Sequence, residues 1–105
     1  MIFIEAPETM EQIEKIAAQI PQPKLINMFY GGKTPLIETK KLQELGYQIV
    51  IIPSDLQRAA IKAMQNTLEV ILRDGNSAAI SETMTSFKER ELIVETDKYF
   101  ALDRI

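Results

Sequence analysis

The chain has 105 residues, of which 46% are hydrophobic, with four glycines and five prolines, a composition that supports one ordered domain rather than a disordered chain. Twelve Lys and Arg stand against fifteen Asp and Glu, with the signs interspersed; a net charge of −3 and no basic stripe argue against nucleic acid or an anionic membrane surface as partner. With no cysteine and no histidine, thiolate and imidazole catalysis, disulfides and Cys/His zinc sites are excluded within the chain, leaving Glu, Asp, Lys, Tyr, Ser and backbone groups for any chemistry.

The first element is a short β-branched run from Ile2 to Ala6, which reads as a strand stopped by Pro7, with Glu5 near its end. Thr9 and Gln12 then have capping-box spacing, and Met10, Ile13, Ile16, Ala17 and Ile20 recur at helical intervals up to Pro21. A second strand, Lys24 to Met28, leads into a glycine-bearing loop, after which Thr39 is expected to cap a short helix that carries Leu42 and Leu45 and ends at Gly46. The third strand, Gln48 to Ile52, is apolar at four consecutive positions, as expected for a strand covered on both faces, and stops at Pro53.

Ser54 and Gln57 have capping spacing ahead of the longest element, a helix from Asp55 to Asp74 with Gly75 as its stop. Leu56, Ala60, Ala63, Thr67 and Ile71 trace one of its faces and Ile61, Met64, Leu68 and Leu72 another, so burial on two sides, one of them against a partner subunit, is expected. Residues 77–85 and 86–94 read as two shorter helices, the second with a Ser86/Glu89 capping pair, and 99–102 as a further helical turn. The whole is an α/β chain with three βα units over residues 1–75 and a helical extension over 76–105. The amino terminus lacks the basic-then-apolar pattern of a secretory signal, and no apolar run approaches the roughly 20 residues that span a bilayer, so a cytoplasmic protein is the expectation.

Ligands of parallel α/β folds sit at the carboxyl ends of strands, which makes Glu5 and Asn27 the first candidate site residues. A surface glutamate and a turn-forming asparagine are the plainer readings of the same two positions. The loop also meets part of the phosphate-binding pattern G-x-x-x-x-G-K-T at Gly32, Lys33 and Thr34, with Asn27 where the first glycine belongs, so a nucleotide binder through a degenerate loop is one alternative function. Three parallel strands also leave an open sheet with two bare edges, to be covered by copies of the chain, a partner, or the rest of a larger barrel.

Phe3-Ile4-Glu5-Ala6-Pro7, Asn27-Met28 with Gly31-Gly32-Lys33-Thr34-Pro35-Leu36, Glu44-Leu45-Gly46-Tyr47, and Ile52-Pro53 followed by Leu56-Gln57-Arg58-Ala59 occur in an order and spacing that resemble the isocitrate lyase/phosphoenolpyruvate mutase superfamily. The resemblance is nearest to enzymes of the methylisocitrate lyase, 2,3-dimethylmalate lyase and carboxyphosphonoenolpyruvate phosphonomutase type, and covers the carboxyl-terminal part of the family's domain. It implies a partial (β/α)8 barrel, strands six to eight with their helices and a helical tail. It also implies Mg²⁺-assisted cleavage or rearrangement next to a carboxylate in small 2-oxo or 2-hydroxy acids, through an enolate-like intermediate.

By the same resemblance Glu5 is the strand-six glutamate that supports the metal and substrate region through hydrogen bonds and water. Asn27 is the strand-seven asparagine that contacts a substrate carboxylate, and Gly31, Thr34 and Pro53 lie in substrate-side loops. Tyr30 stands where many relatives carry Glu. The family's Mg²⁺-holding Asp residues and its Lys-Lys-Cys-Gly-His loop belong to earlier strands, so no direct metal ligand is expected here, Glu5 acting at most through water. This polypeptide alone is therefore expected to bind no Mg²⁺ and to be catalytically incomplete. The partners implied are a small carboxylic acid in the intact enzyme, and either further copies of the chain or the missing amino-terminal half, engaged through helix 55–74, which corresponds to the helix that the family exchanges between subunits. A non-catalytic, self-associating or ligand-binding module is the alternative from another class.

Overall fold

Helix caps and strand alternation divide the chain much as the sequence pattern suggests, except that the first strand, expected from Ile2 to Ala6, pairs only over Ile2–Phe3. A computed structural model describes residues 1–104, in the order β1 (Ile2–Phe3), α1 (Met10–Gln19), β2 (Lys24–Asn27), α2 (Thr39–Glu44), β3 (Tyr47–Ile51) and α3 (Asp55–Asp74). A 3-10 helix (Ala78–Thr83), α4 (Phe87–Ile93) and α5 (Thr96–Leu102) follow. The strands pair in parallel in the order β1-β2-β3, which leaves β1 and β3 as edges. The fold is thus α/β with a three-stranded parallel sheet. Among the described residues no helix is long and apolar enough to cross a membrane. The chain divides into two units, Met1–Lys62 and the part that begins at Ala63, with the division inside α3; the boundary expected from sequence follows that helix at Gly75.

In the first unit, α1 begins where Thr9 Oγ1 accepts from the Gln12 backbone N–H at 3.1 Å, while the Gln12 side chain accepts from the Glu8 N–H at 2.6 Å. That satisfies two of the donors a helix start leaves free. The cap of α2 differs from expectation: Thr39 is the first helical residue and Glu38 occupies the cap position without a side-chain hydrogen bond. The helix is held instead by Leu42, which is fully buried, and is stopped at Gly46, whose φ of +85° suits a residue without Cβ.

α1 and α2 cover one face of the sheet. Ile13, Ile26, Met28, Leu42 and Tyr47 form the buried cluster, with Ile16, Ala17, Ile37, Leu45 and Val50 packed against it. An irregularity between Lys24 and Leu25 of β2 pairs Lys24 with Tyr47 but Leu25 with Ile49, so that Gln48 is the extra residue. The resulting change of phase lets both Tyr47 and Val50 reach the covered face. The opposite face carries the registered rows Phe3–Leu25–Ile49 and Asn27–Ile51. There Phe3, Ile49 and Ile51 are 44%, 42% and 41% exposed. The expectation that β3 is covered on both faces therefore fails: its apolar run has helices on one side and nothing from this unit's helices on the other.

Lys24 is a buried cation on the covered face. Its Nζ donates to the Ile20 carbonyl at 2.8 Å and the Gln22 carbonyl at 3.3 Å, at the carboxyl end of α1, and lies 5.7 Å from the centre of the Tyr47 ring. Free carbonyls and the helix dipole both favour a cation there. The Tyr47 hydroxyl donates to the Ile13 carbonyl at 3.0 Å, and burial raises its pKa above the ordinary phenol value. Because the folded value is the raised one, the neutral hydroxyl contributes stability that is fully present below about pH 10 and is lost as the pH climbs through the folded value. Urea midpoints measured at about pH 8 and 11 should therefore drop further for the native chain than for Tyr47→Phe.

In the second unit, Ser86 Oγ accepts from the Glu89 N–H at 3.1 Å to start α4, which packs on α5. Glu91 accepts from the Thr96 hydroxyl and pairs with Arg90, and these contacts hold its carboxyl below the usual range. The segment expected as a helix over 77–85 is a 3-10 helix, and the expected turn at 99–102 is part of α5. Along α3 only Val70 is buried; Leu56, Met64, Leu68 and Leu72 are exposed, so both apolar faces read from sequence are present and largely uncovered.

Candidate functional site

The carboxyl ends of β1 and β2 converge on a cavity of about 140 Å³. Three of the five residues singled out in the sequence, Glu5, Asn27 and Thr34, line it together, and Ala6, Met28, Phe29, Gly32 and Lys33 complete the wall. Gly31 lies in the same loop but off the wall, with φ +86°, a conformation that relieves the turn between Tyr30 and Gly32. Pro53 follows β3, exposed, and does not reach the cavity. Tyr30, the departure from the family pattern, is 69% exposed and is not part of the wall.

Asn27 ends β2 on the uncovered face of the sheet, in register with Ile51. Its Oδ1 is buried without a hydrogen-bond partner. An unpaired buried acceptor costs about 1–3 kcal/mol, which a bound molecule or water carrying a donor relieves. Thr34 is buried beside it and Glu5 stands exposed at the lip. Ala6, the residue after Glu5, has φ +47°, a left-handed conformation that costs an alanine about 1–2 kcal/mol. Lys33 supplies the one cation among the lining residues; its Nζ lies 3.8 Å from Glu8, an exposed pair of little energetic weight.

At Gly32 an added Cβ would sit 2.9 Å from the tip of the Phe29 ring, so a side chain there would push the ring aside. The wall therefore offers an amide, a hydroxyl, an ammonium and a carboxylate over an apolar floor of Met28 and Phe29. That set suits a small polar molecule, and the volume lies below the roughly 300–1,000 Å³ of pockets that enclose larger ligands. It does not suit a nucleotide. The next helix in the chain, α2, starts only at Thr39, after Pro35 has intervened, so the loop does not run directly into a helix amino terminus as a phosphate-binding G-x-x-x-x-G-K-T loop does.

Among the described residues no group of three His, Cys, Asp or Glu gathers in a metal-binding arrangement, and Glu5 is the only carboxylate of the wall. The wall thus has at most one carboxylate to contribute to a Mg²⁺ shell, whose other oxygen ligands would be waters, substrate or residues of other segments. The sequence reading missed Ala6, Met28 and Phe29 as lining residues and weighed Lys33 only for phosphate. Their adjacency to Glu5 and Asn27 was a signal for the first three, whereas the left-handed backbone at Ala6 has no sequence signature.

The chain matches no protein-family model. It is 39% identical over 89 residues to the 2,3-dimethylmalate lyase of Eubacterium barkeri, covering 85% of this chain and 31% of that protein. It is 36% identical over 103 residues to the 2-methylisocitrate lyase of Halalkalibacterium halodurans, covering 98% of this chain and 34% of that one. Its backbone superposes on a crystal structure of 2,3-dimethylmalate lyase, a PEP mutase/isocitrate lyase superfamily member, with a TM-score of 0.80 at 26% identity, over 97% of this chain and 36% of that chain. A phosphoenolpyruvate phosphomutase from Streptomyces platensis subsp. rosaceus shares the fold, with a TM-score of 0.73 at 20% identity over 94% of this chain and 34% of its own. The chain spans about a third of the length of the curated relatives it matches. Its sequence and structure neighbours are thus members of the PEP mutase/isocitrate lyase superfamily, matched over about a third of their length.

Proposed function

We propose that this chain is the carboxyl-terminal part, strands six to eight with their helices and tail, of a Mg²⁺-dependent carbon–carbon lyase of the methylisocitrate or dimethylmalate lyase type, and that it is catalytically incomplete alone. The observation that carries this reading is the one-sided sheet. Parallel sheets are normally covered on both faces, yet Phe3, Ile49 and Ile51 form an apolar face without cover, with Asn27 and Glu5 at its carboxyl end. In a closed barrel that face is the packed interior and that end is where substrate binds. The relatives' names add the reaction class: 2,3-dimethylmalate lyase and 2-methylisocitrate lyase.

In this reading Asn27, through its Nδ2 hydrogens, and Thr34 bind a carboxylate of a small 2-hydroxy or 2-oxo acid while a substrate hydroxyl or a water donates to Asn27 Oδ1, Lys33 adds positive charge at the mouth, and Glu5 supports the metal and substrate region through hydrogen bonds and water. When bound, Mg²⁺ stabilises negative charge that develops on the substrate, and it is held by segments outside this chain. Residues 1–75 supply the barrel units and 76–105 the extension, with α3 the element that engages other subunits. The test is a chimera in which the first two thirds of the Eubacterium barkeri 2,3-dimethylmalate lyase precede this chain. The chimera is expected to cleave 2,3-dimethylmalate with Mg²⁺, whereas the 105-residue chain is expected to be inactive. A folded but inert chimera would overturn the proposal.

A further inference from the structure

The loop that carries Phe29, Gly32, Lys33 and Thr34 to the cavity is gripped from outside by the first turn of α3. The backbone N–H of Tyr30 donates to both carboxylate oxygens of Asp55, at 3.3 and 3.4 Å, and the Tyr30 carbonyl accepts from the Arg58 guanidinium at 2.6 Å. Asp55 and Arg58 are themselves 3.7 Å apart, so the two side chains form one unit around a single residue's backbone groups. These contacts bridge 25 and 28 residues of sequence. On the next residue Gly31 takes φ +86°, and Gly32 returns its N–H to the Phe29 carbonyl at 3.1 Å beneath the Phe29 ring.

We propose that Asp55 and Arg58 are positioning residues that fix the rim of the cavity by holding Tyr30 through its backbone. All three contacts involve a charged partner, the Arg58 bond being short as charge-assisted bonds are and the Asp55 contacts longer and shared between two oxygens, and neither Asp55 nor Arg58 lines the cavity. The grip uses nothing of the Tyr30 side chain, which projects into solvent, so side-chain identity at position 30 is free to vary while the loop keeps its path. That accounts for a tyrosine at this position without any change in the wall. The loop's importance for substrate rests on the function proposed above; the grip itself does not.

Amide hydrogen exchange by NMR on the 105-residue chain tests it independently of any activity. In Asp55→Ala the Tyr30 and Gly32 amides are expected to exchange roughly tenfold faster or more, with the Leu25 and Ile26 amides of β2 unchanged. Asp55→Asn keeps an acceptor for the Tyr30 N–H and should restore most of the protection, Arg58→Ala should loosen the same two amides, and Tyr30→Ala should leave the amides of residues 30 and 32 as they are. Unaltered exchange at Tyr30 in Asp55→Ala, or a loss shared equally by the β2 amides, overturns the proposal. An inert chimera, by contrast, bears on the lyase reading alone.

Discussion

Leu42→Ala is expected to lower stability by about 2–5 kcal/mol and to leave a large fraction of the chain unfolded in buffer, read as loss of helical circular dichroism and of a cooperative urea transition. Leu42 is 0% exposed at the centre of a cluster that also contains Ile13 and Ile26, and α2, only six residues long, has no side-chain cap to hold it in place otherwise. A helix of that length is not stable by propensity and depends on the face it buries. A chain of this size has about 5–15 kcal/mol to lose at best, and a sheet packed on one face belongs at the low end. Ile49→Ala on the uncovered face provides the contrast: it removes as much apolar side chain but, at protein concentrations low enough to keep single chains, should lower stability by only about 0.5 kcal/mol. Equal effects of the two substitutions would contradict the one-sided core.

In the lyase chimera, Asn27→Ala is expected to reduce kcat/KM roughly 10- to 150-fold, the equivalent of about 1.5–3 kcal/mol for a hydrogen bond to a charged group. The argument is local. Asn27 closes β2, its Oδ1 is buried with no partner, and the amide belongs to the wall shared by Glu5 and Thr34. The unpaired Oδ1 calls for a donor, a substrate hydroxyl or a water, and with that bond made the Nδ2 hydrogens are held for the substrate carboxylate. If Asn27 were merely a turn-former, Asn27→Ala would leave kinetics unchanged, and steady-state assays of the purified chimera separate the two cases. Asn27→Asp sharpens the test: a carboxylate facing the substrate's own carboxylate should cost more than alanine does.

Much of this architecture was legible in the residues because local signals agreed with one another. Pro21, Gly46 and Gly75 mark element ends, Thr9 and Ser86 cap helices as their spacing foretold, and the hydrophobic period separates strands from helices, whereas β1 stops at Phe3, well before Pro7. Glu5, Asn27 and Thr34 were legible as a group because strand ends and one glycine-bearing loop bring them together. What was not legible depends on distant contacts. The apolar run of β3 reads the same whether one face or two are covered, since the sequence of a strand does not state how many layers surround it. Burial of Lys24 is likewise invisible in a strand pattern, because its charge is accommodated by carbonyls at the end of another element. The hold of Asp55 and Arg58 on Tyr30 joins residues 25 and 28 positions apart and leaves no periodic trace.

The face bearing Phe3, Ile49 and Ile51 is, on the function proposed above, an interior surface that requires cover. Light scattering coupled to intact mass spectrometry on the purified chain tests it most directly. The expected result is a particle heavier than one 11.9 kDa chain, either several copies or the chain with a larger companion, and a shift toward single chains in Ile49→Lys with Ile51→Lys. A stable, cooperatively folding monomer of one chain, at tens of micromolar and without affinity for its own copies, would contradict the claim.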